Sequence, residues 1–139
     1  MNRWATLAAA GAAAFTAVFG FSGTASAANG VCSVQETCFY FNSNTSGSMI
    51  DYEGDQYTHH DDYFITSGSG QNQVVGNNAA SLFCNMGPLF TCKTYFNSGY
   101  SGDSFKTLGG KRVNLPSWLK NNNASSESYY SGGCSGPGC

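Results

Sequence analysis

The most constraining feature of this sequence is the arrangement of its six cysteines, which fall into three close pairs. The pairs are Cys32 with Cys38, Cys84 with Cys92, and Cys134 with Cys139. In a chain that reaches an oxidising compartment, these spacings favour three local disulfides, although other pairings stay open. Each bridge would stabilise the fold by roughly 2–3 kcal/mol. Zinc binding is the alternative, but no pair has the tight C-x2-C spacing of zinc ligands.

The start of the chain predicts export to such a compartment. Residues Met1–Ala27 contain one early cation, Arg3, then a run rich in Ala, Phe and Val, and finally Ala25-Ser26-Ala27. This is the pattern of a secretory signal peptide with a small-residue cleavage site. An uncleaved membrane anchor is the alternative. We therefore expect a secreted, extracellular and monomeric protein of one domain, Ala28–Cys139, with no membrane attachment after cleavage.

The charge of the mature chain argues against two classes of partner. Without Arg3, five Lys and Arg residues stand against eight Asp and Glu residues, a net charge of −3. Nucleic acids and anionic membranes are bound by clusters of basic residues, which this composition does not provide. We therefore expect neither nucleic-acid binding nor electrostatic attachment to membranes.

Short aromatic and β-branched runs alternate with turn residues along the mature chain. Examples are CFYF before NSNTSG, and TCKTYF before NSGYSG. Such alternation, with a turn every eight to twelve residues or so, predicts an all-β domain. The one helix-like segment, Pro116–Lys120, has proline at a first-turn position and is about one turn long.

The mature chain also repeats itself. Tyr40 and Gly47 are seven residues apart, as are Tyr95 and Gly102, and the two copies lie 55 residues apart. An Asn-rich turn follows in each half, at Gly76–Leu82 and at Asn121–Glu127. Two similar β units predict a pair of Greek-key motifs that pack as a β-sandwich.

The two predicted motifs differ in length. We place the first Greek key at about residues 30–84 and the second at about residues 90–133. The hairpin glycine and the Asn-rich turn are farther apart in the first half, which predicts an insertion of about ten residues within YTHHDDYFITSGSG.

The repeated residues resemble the signatures of the βγ-crystallin Greek-key pair. Its first hairpin carries an aromatic, four residues, an aromatic, one residue and a glycine. Tyr95–Gly102 matches fully, whereas the first copy has Thr45 in place of the second aromatic. Glycine would supply a backbone angle that is closed to other residues at the hairpin fold. The second signature is matched in full by Asn121–Ser126 and in part by Gly76–Ser81.

A narrower resemblance is to the streptomycete metalloproteinase inhibitor family, whose members are small, secreted and βγ-crystallin-like. The start of the mature chain shares the spacing Cys32-x5-Cys38-x-Tyr40. That family has a second disulfide loop between its halves, with a proline in it and the reactive bond after its first cysteine. The loop Cys84–Cys92, with Pro88 inside, occupies the corresponding place.

The resemblance implies that this loop inhibits an extracellular metalloproteinase. The implied inhibitory residues are Cys84, Asn85, Met86, Gly87, Pro88, Leu89, Phe90 and Cys92. A disulfide and a proline would lower the ordering cost of binding, and an apolar side chain would fill a specificity pocket. The alternative is a stapled linker whose Leu89 and Phe90 pack onto the core.

Departures from the family leave the details open. The loop is longer than in the family, and Asn85 is polar where the family has an apolar residue. The residue after the reactive bond is therefore Met86, Leu89 or Phe90, or the target differs, or inhibition is lost. The tail GGCSGPGC is not explained by the resemblance.

Calcium is the one cofactor that the resemblance implies. Asn122, Asn123 and Ser125 lie at the turn that binds calcium in microbial βγ-crystallins, where each ion is shared between both halves. Because we pair Ser125 with Ala80 in the other half, and because Asn supplies no charge, we expect at most one weak site. The alternative is a solvated turn whose side chains bond the local backbone.

The remaining candidate residues give weaker indications of a functional site. We expect His59–Asp62, the sequence HHDD, to form a solvated loop, since no third ligand group lies at suitable spacing. We expect Trp118 to plug the core beneath the second motif. No G-x-S-x-G nucleophile motif and no glycine-rich stretch before a helix is present, so we predict no enzyme.

The leading prediction is thus a disulfide-stapled, βγ-crystallin-like, secreted metalloproteinase inhibitor. Two alternatives from other classes stay open. One is a non-inhibitory binding or structural module of the same fold with weak calcium binding. The other is a secreted antimicrobial toxin of the same fold.

Overall fold

The computed structural model describes residues 28–132, and the predicted signal peptide and the Cys134–Cys139 bridge lie outside this range. The described chain forms seven strands and two antiparallel sheets. The strands are β1 (Glu36–Asn42), β2 (Ser46–Tyr52), β3 (Ser81–Asn85), β4 (Phe90–Asn97), β5 (Ser101–Leu108), β6 (Lys111–Asn114) and β7 (Ser125–Tyr130). One sheet has the order β2-β1-β3-β6 and the other the order β5-β4-β7. The predicted all-β sandwich is confirmed.

Each sheet takes one segment from the other half of the chain. Strand β6, from the second half, pairs with β3 through Ser81 and Asn114. From the first half, Gln56 forms an isolated bridge with Ser126 in β7. This reciprocal crossing is the Greek-key connection, and it places both halves around one core.

The core lies between the two sheets and mixes residues from both halves. Its fully buried side chains include Phe39, Phe64, Val75, Leu82 and Leu119. Trp118, expected in the core, is 42% exposed, and the neighbouring Leu119 takes the buried position at 0%. The prediction for Trp118 is therefore wrong by one residue, because the short turn after Pro116 directs Leu119 inward.

The two hairpins are closed by equivalent serines. The Ser81 hydroxyl donates to the Asn42 carbonyl at 2.6 Å and accepts from the Thr45 N–H at 2.9 Å. In the other half the Ser125 hydroxyl makes the same two contacts with the Asn97 carbonyl and the Tyr100 N–H, at 2.6 and 3.1 Å.

This symmetry corrects the register of the second signature. The counterpart of Ser125 is Ser81, and not Ala80 as expected from the sequence. Asn77 and Asn121 are equivalent in the same register, since both adopt left-handed backbone angles, with φ of 64° and 59°. The partial match in the first half is therefore shifted by one residue.

Glycine is required at the fold of each hairpin. Gly47 and Gly102 both have φ of +77°, as expected from the aromatic-to-glycine pattern. A Cβ at Gly102 would lie 2.6 Å from Asn97 Nδ2, and one at Gly47 would lie 2.9 Å from Asn42 Nδ2. Both backbone angle and space exclude a side chain at these positions.

Two of the three predicted disulfides lie in the described range, and both are confirmed. Cys32 is bonded to Cys38 and Cys84 to Cys92, each pair with Cα atoms 5.9 Å apart. The first bridge holds the N-terminal segment against β1. The second joins the end of β3 to the start of β4 and so ties the two sheets together. Both bridges indicate an oxidising environment.

Candidate inhibitory loop and adjoining groove

The chain passes from one sheet to the other through a tight turn at the centre of the predicted loop. The Phe90 N–H donates to the Gly87 carbonyl at 3.0 Å, which closes a four-residue turn with Pro88 at its second position. Cys84 and Cys92, on either side, are 0% and 1% exposed. The two ends of the loop that contains the turn are therefore joined by a disulfide that is buried in the core.

Three backbone hydrogen bonds fix the turn to the body. Gly109 N–H donates to the Phe90 carbonyl at 2.9 Å, and Ser131 N–H donates to the Leu89 carbonyl at 2.8 Å. Gly110 N–H donates to the Cys84 carbonyl at 2.7 Å. A Cβ at Gly109 would lie 2.0 Å from the Gly87 carbonyl oxygen, so glycine is needed for this close approach.

The apolar residues of the turn are only partly covered. Leu89 is 44% exposed and Phe90 is 37% exposed, with the Phe90 ring packed edge-on against Tyr130 at a centroid distance of 5.6 Å. Gly87 and Pro88 are exposed, whereas Met86 packs against the core. The turn thus presents a leucine side chain at its tip.

The bond after Cys84 is not presented in the same way. Asn85 lies in β3, where its carbonyl accepts from Gln35 N–H at 2.8 Å. The side-chain amide nitrogen of Asn85 donates to the carbonyls of Cys32 and Ser33, at 3.1 and 2.9 Å. Together with the Gly110 contact to Cys84, these bonds hold the Cys84–Asn85 peptide inside the sheet. A proteinase would have to open two strand pairings to reach it.

The carbonyls around Leu89 differ in their hydrogen bonds. The Leu89 carbonyl accepts from Ser131, and the Asn85 carbonyl accepts from Gln35. Within residues 28–132, the Pro88 carbonyl accepts no hydrogen bond. Of the three registers left open by the sequence, the Pro88–Leu89 bond alone combines a free carbonyl with a bulky apolar residue after it.

A groove of about 480 Å³ adjoins the turn. Its lining residues are Val34, Gln35, Glu53, Gly54, Met86, Gly87, Phe90 and Ser128. Three of these belong to the loop, and Val34 belongs to the segment that the Cys32–Cys38 bridge holds. The two disulfides therefore shape one mostly apolar depression beside the turn, with Glu53 among its lining residues.

The residues predicted to bind calcium have other partners. Asn123 is fully buried, and its Oδ1 accepts from Ala79 N–H at 2.9 Å. The Asn122 amide nitrogen donates to the Trp118 carbonyl at 3.2 Å, and the Ser125 hydroxyl closes the hairpin at Asn97. Each of the three side chains thus bonds to a different group of the protein. The calcium site stays a prediction.

His59 is a polar core residue that the sequence did not reveal. It is 0% exposed, stacks on Tyr52 at 5.4 Å and contacts the Phe39 ring edge-on at 4.9 Å. The expectation of a solvated HHDD loop is therefore wrong for His59, although His60 and Asp61 are exposed. Little in the sequence indicates that His59 is buried, because it lies in a polar run whose other residues suit a solvated loop.

The hydrogen bonds of His59 fix its tautomer. Asn123 Nδ2 can only donate, so His59 Nδ1 accepts at 2.9 Å and Nε2 carries the hydrogen toward Ser126 Oγ, also at 2.9 Å. Burial, with a smaller contribution from His60, lowers the pKa of His59 to about 3. A histidine that donates to a buried serine cannot remove its proton, so this contact is structural and does not activate a nucleophile.

Among residues 28–132, no group of three or more His, Cys, Asp or Glu side chains could hold a metal ion. In the same range, no helix has the length and apolar character needed to cross a membrane.

The fold is similar to solved βγ-crystallin domains. One solved structure comes from work on the evolution of the eye-lens βγ-crystallin domain fold. It has a TM-score of 0.56 and 13% identity, and the match covers 73% of this chain and 92% of that chain. A βγ-crystallin domain from Clostridium beijerinckii has a TM-score of 0.50 and 17% identity, covering 69% and 98%. A double mutant of a domain from the same organism has values of 0.51 and 16%, covering 70% and 99%.

At the level of sequence, no protein-family model and no curated protein matches this chain. The likeness therefore concerns the arrangement of the strands, and the narrower resemblance to metalloproteinase inhibitors stays a prediction. With its two antiparallel sheets and its two Greek-key halves, this chain has the βγ-crystallin fold.

Proposed function

We propose that this protein is a secreted inhibitor of extracellular metalloproteinases and that Pro88–Leu89 is its reactive bond. The observation that carries the proposal is the exposed Leu89 side chain next to a Pro88 carbonyl that accepts no hydrogen bond within residues 28–132. Both sit on a turn whose ends are joined by the Cys84–Cys92 disulfide. The resemblance of the cysteine and proline spacing to metalloproteinase inhibitors supports the same conclusion.

The proposed mechanism uses the turn as a substrate that is slow to leave. Leu89 would enter the apolar pocket that thermolysin-like enzymes offer to the residue after the cut, and the Pro88 carbonyl would ligate the zinc of the proteinase, which polarises it. Because the turn is already ordered, binding loses little conformational entropy.

The same contacts would keep the cleaved loop in place. If the Pro88–Leu89 bond is hydrolysed, the Cys84–Cys92 disulfide still joins the two new ends. Ser131 would hold the Leu89 side, and Gly110 would hold the Cys84 side. The cleaved inhibitor would therefore remain bound, and the bond could re-form.

The test is a titration of the secreted mature chain against thermolysin, with the serine proteinase subtilisin as a comparison. We expect stoichiometric loss of thermolysin activity and little effect on subtilisin. Leu89→Ala should raise the inhibition constant about 10–100-fold, because it removes the apolar side chain that the complex would bury. Ile65→Ala, at an exposed apolar position whose N–H bonds to the Met49 carbonyl, is the matched control.

Mass spectrometry after long incubation and reduction identifies the reactive bond. Fragments that separate at Pro88–Leu89 support the proposed register. Failure to inhibit thermolysin at micromolar excess would overturn the function. Inhibition with cleavage at Cys84–Asn85 would overturn the register alone.

A further inference from the structure

Among the residues that the structure describes, one surface is covered in the first half of the molecule and uncovered in the second. Equivalent backbone hydrogen bonds show which residues of the two halves correspond to each other. His59 N–H donates to the Ala124 carbonyl at 2.8 Å, and Leu115 N–H donates to the Ala80 carbonyl at 3.0 Å, so His59 and Leu115 are equivalent.

A second pair of equivalent residues marks the end of the extra segment. The Asn78 amide nitrogen donates to the Val74 carbonyl, four residues earlier, at 2.9 Å. Asn122 makes the same contact with the Trp118 carbonyl at 3.2 Å. Val74 and Trp118 are therefore counterparts, and the extra residues of the first half lie between His60 and Val74.

This extra segment, residues 63–73, seals the outer edge of β2. Ile65 N–H donates to the Met49 carbonyl at 3.0 Å, and the Ser69 carbonyl accepts from Ser48 N–H at 2.8 Å. Tyr63 forms an isolated antiparallel bridge with Val74. The edge of the first sheet is thus paired with a piece of the same chain.

The segment also covers the aromatic side chain of the hairpin. The Phe41 ring packs edge-on against Phe64 at a centroid distance of 5.7 Å. Gly70 also lies so close that a Cβ there would be 2.0 Å from the Phe41 ring. One glycine and one phenylalanine of the segment enclose Phe41.

Within residues 28–132 the second half has no such cover, and a groove of about 380 Å³ lies at the equivalent place. Its lining residues are Phe96, Asn97, Gly102, Asp103 and Trp118. Each has a counterpart in the first half that the segment covers or that adjoins it: Phe41, Asn42, Gly47, Ser48 and Val74. Phe96 is 43% exposed and Trp118 is 42% exposed.

The backbone at this groove is also unpaired. Strand β5 is the outer strand of its sheet, and within residues 28–132 no loop forms a backbone hydrogen bond with it. Tyr95 pairs with Ser104 in the register in which Tyr40 pairs with Met49. By this equivalence, Asp103 N–H and the Ser104 carbonyl point outward, as Ser48 N–H and the Met49 carbonyl do.

We propose that the groove at Phe96 and Trp118 binds an extended peptide segment of a partner protein, as the first half binds its own residues 63–73. The peptide would accept from Asp103 N–H, donate to the Ser104 carbonyl and place a glycine on the Phe96 ring. This is strand-edge recognition, in which main-chain bonds give affinity and side-chain pockets give selectivity. The volume is within the range of small ligand sites.

The occupant is inferred from what fills the equivalent site in the same molecule. A sugar could stack on Trp118, but it would leave the outward-pointing N–H and carbonyl groups of β5 without the regular partners that a strand supplies. The groove also differs from its counterpart in charge, because Asp103 stands where Ser48 stands in the first half. We therefore expect a neutral or basic segment.

The test uses a synthetic peptide of sequence FITSGSGQNQ, residues 64–73 with blocked ends, added to the secreted mature chain. Once residues 1–27 are removed, Trp118 is the sole tryptophan, so its fluorescence reports on the groove directly. We expect a saturable change at millimolar peptide or below, with shifts of the Asp103 and Ser104 amide signals in NMR spectra.

Matched variants make the test specific. A peptide with alanine in place of Gly70 should bind about tenfold more weakly, because its methyl group would clash with the Phe96 ring. Phe96→Ala should weaken binding to a similar extent, whereas Tyr130→Ala, at an exposed aromatic on another face, should not.

Three outcomes would overturn the proposal. The first is no saturable signal from the peptide. The second is equal binding of the glycine and alanine peptides. The third is a response of Trp118 to cellohexaose but not to the peptide, which would identify the groove as a saccharide site. None of these outcomes depends on proteinase inhibition, so the two proposals fail separately.

Discussion

His59 Nε2 and Ser126 Oγ lie 2.9 Å apart, and this contact joins the two halves of the molecule inside the core. Leu115, the counterpart of His59, is a plain apolar residue, so the histidine introduces a polar link at one of two equivalent places. The link is satisfied only while the imidazole is neutral, because Asn123 donates to its other nitrogen.

The protein should therefore lose stability in acid as His59 becomes protonated in the unfolded state. The pKa of His59 is about 3 in the folded protein and about 6.5 when unfolded. Above pH 6.5 both states are neutral, and the loss develops as the pH falls from about 6.5 toward 3, up to about 5 kcal/mol. Urea unfolding at a series of pH values measures it.

The matched variants separate His59 from other titrating groups. His59→Leu should be less stable at neutral pH, because Asn123 and Ser126 lose a partner, but its stability should depend less on pH across this window. His60→Gln, at an exposed neighbour, should keep the wild-type dependence. Equal slopes for all three proteins would show that His59 does not cause the loss.

Gly109→Ala should destabilise the protein and displace the loop. The new methyl group would meet the Gly87 carbonyl oxygen, a backbone atom that cannot rotate away, and we expect a cost of about 1–3 kcal/mol. Gly87→Ala is the control, since its nearest atom would be Phe90 Cδ2 at 3.8 Å. Thermal unfolding measures the cost, and equal melting temperatures would contradict the packing described for Gly109.

Replacing both Cys84 and Cys92 with serine should convert the proposed inhibitor into a substrate. Without the covalent link, the ends formed by hydrolysis would separate, and inhibition of thermolysin should fade during incubation. The stability should fall by about 2–3 kcal/mol. The double serine variant of Cys32 and Cys38 should keep lasting inhibition, because that bridge does not span the turn. Persistent inhibition by the first variant would argue against retention by the disulfide.

Ser81→Ala and Ser125→Ala should each cost about 1–2 kcal/mol, because each leaves a hairpin carbonyl and N–H without its partner. They also test the predicted weak calcium site at Asn122, Asn123 and Ser125. If calcium raises the melting temperature, Ser125→Ala should lose that increment and Ser81→Ala should keep more of it. No increment in the wild-type chain at millimolar calcium would remove the calcium prediction.

Local signals predicted much of the fold. The aromatic-to-glycine spacing located both hairpins because the backbone angle at Gly47 and Gly102 is a local requirement. The close spacing of cysteines indicated the two described disulfides for a similar reason. The exposure of Leu89 also agrees with the loop that the sequence singled out, although its inhibitory role stays a proposal.

The features that the sequence missed depend on contacts between distant segments. His59 is buried because it meets Asn123 and Ser126 from the other half, which its polar neighbours do not indicate. Asn85 is held by Cys32 and Ser33, so the spacing of the cysteines alone did not reveal that its peptide is inaccessible. The groove at Trp118 forms because Phe96 and Gly102 meet Trp118 in space, which their positions in the sequence do not indicate.

The pairing of β6 and of Gln56 with strands of the other half has a consequence for folding of the separate halves. The first half lacks β6 of its own sheet, and the second half lacks the Gln56 bridge to β7, so a gene fragment that encodes one motif alone should yield an unfolded chain. Two polypeptides divided at the Gly87–Leu89 turn should instead find each other and restore the native assembly when co-expressed. The repeat visible in the sequence thus forms two halves that depend on each other to fold.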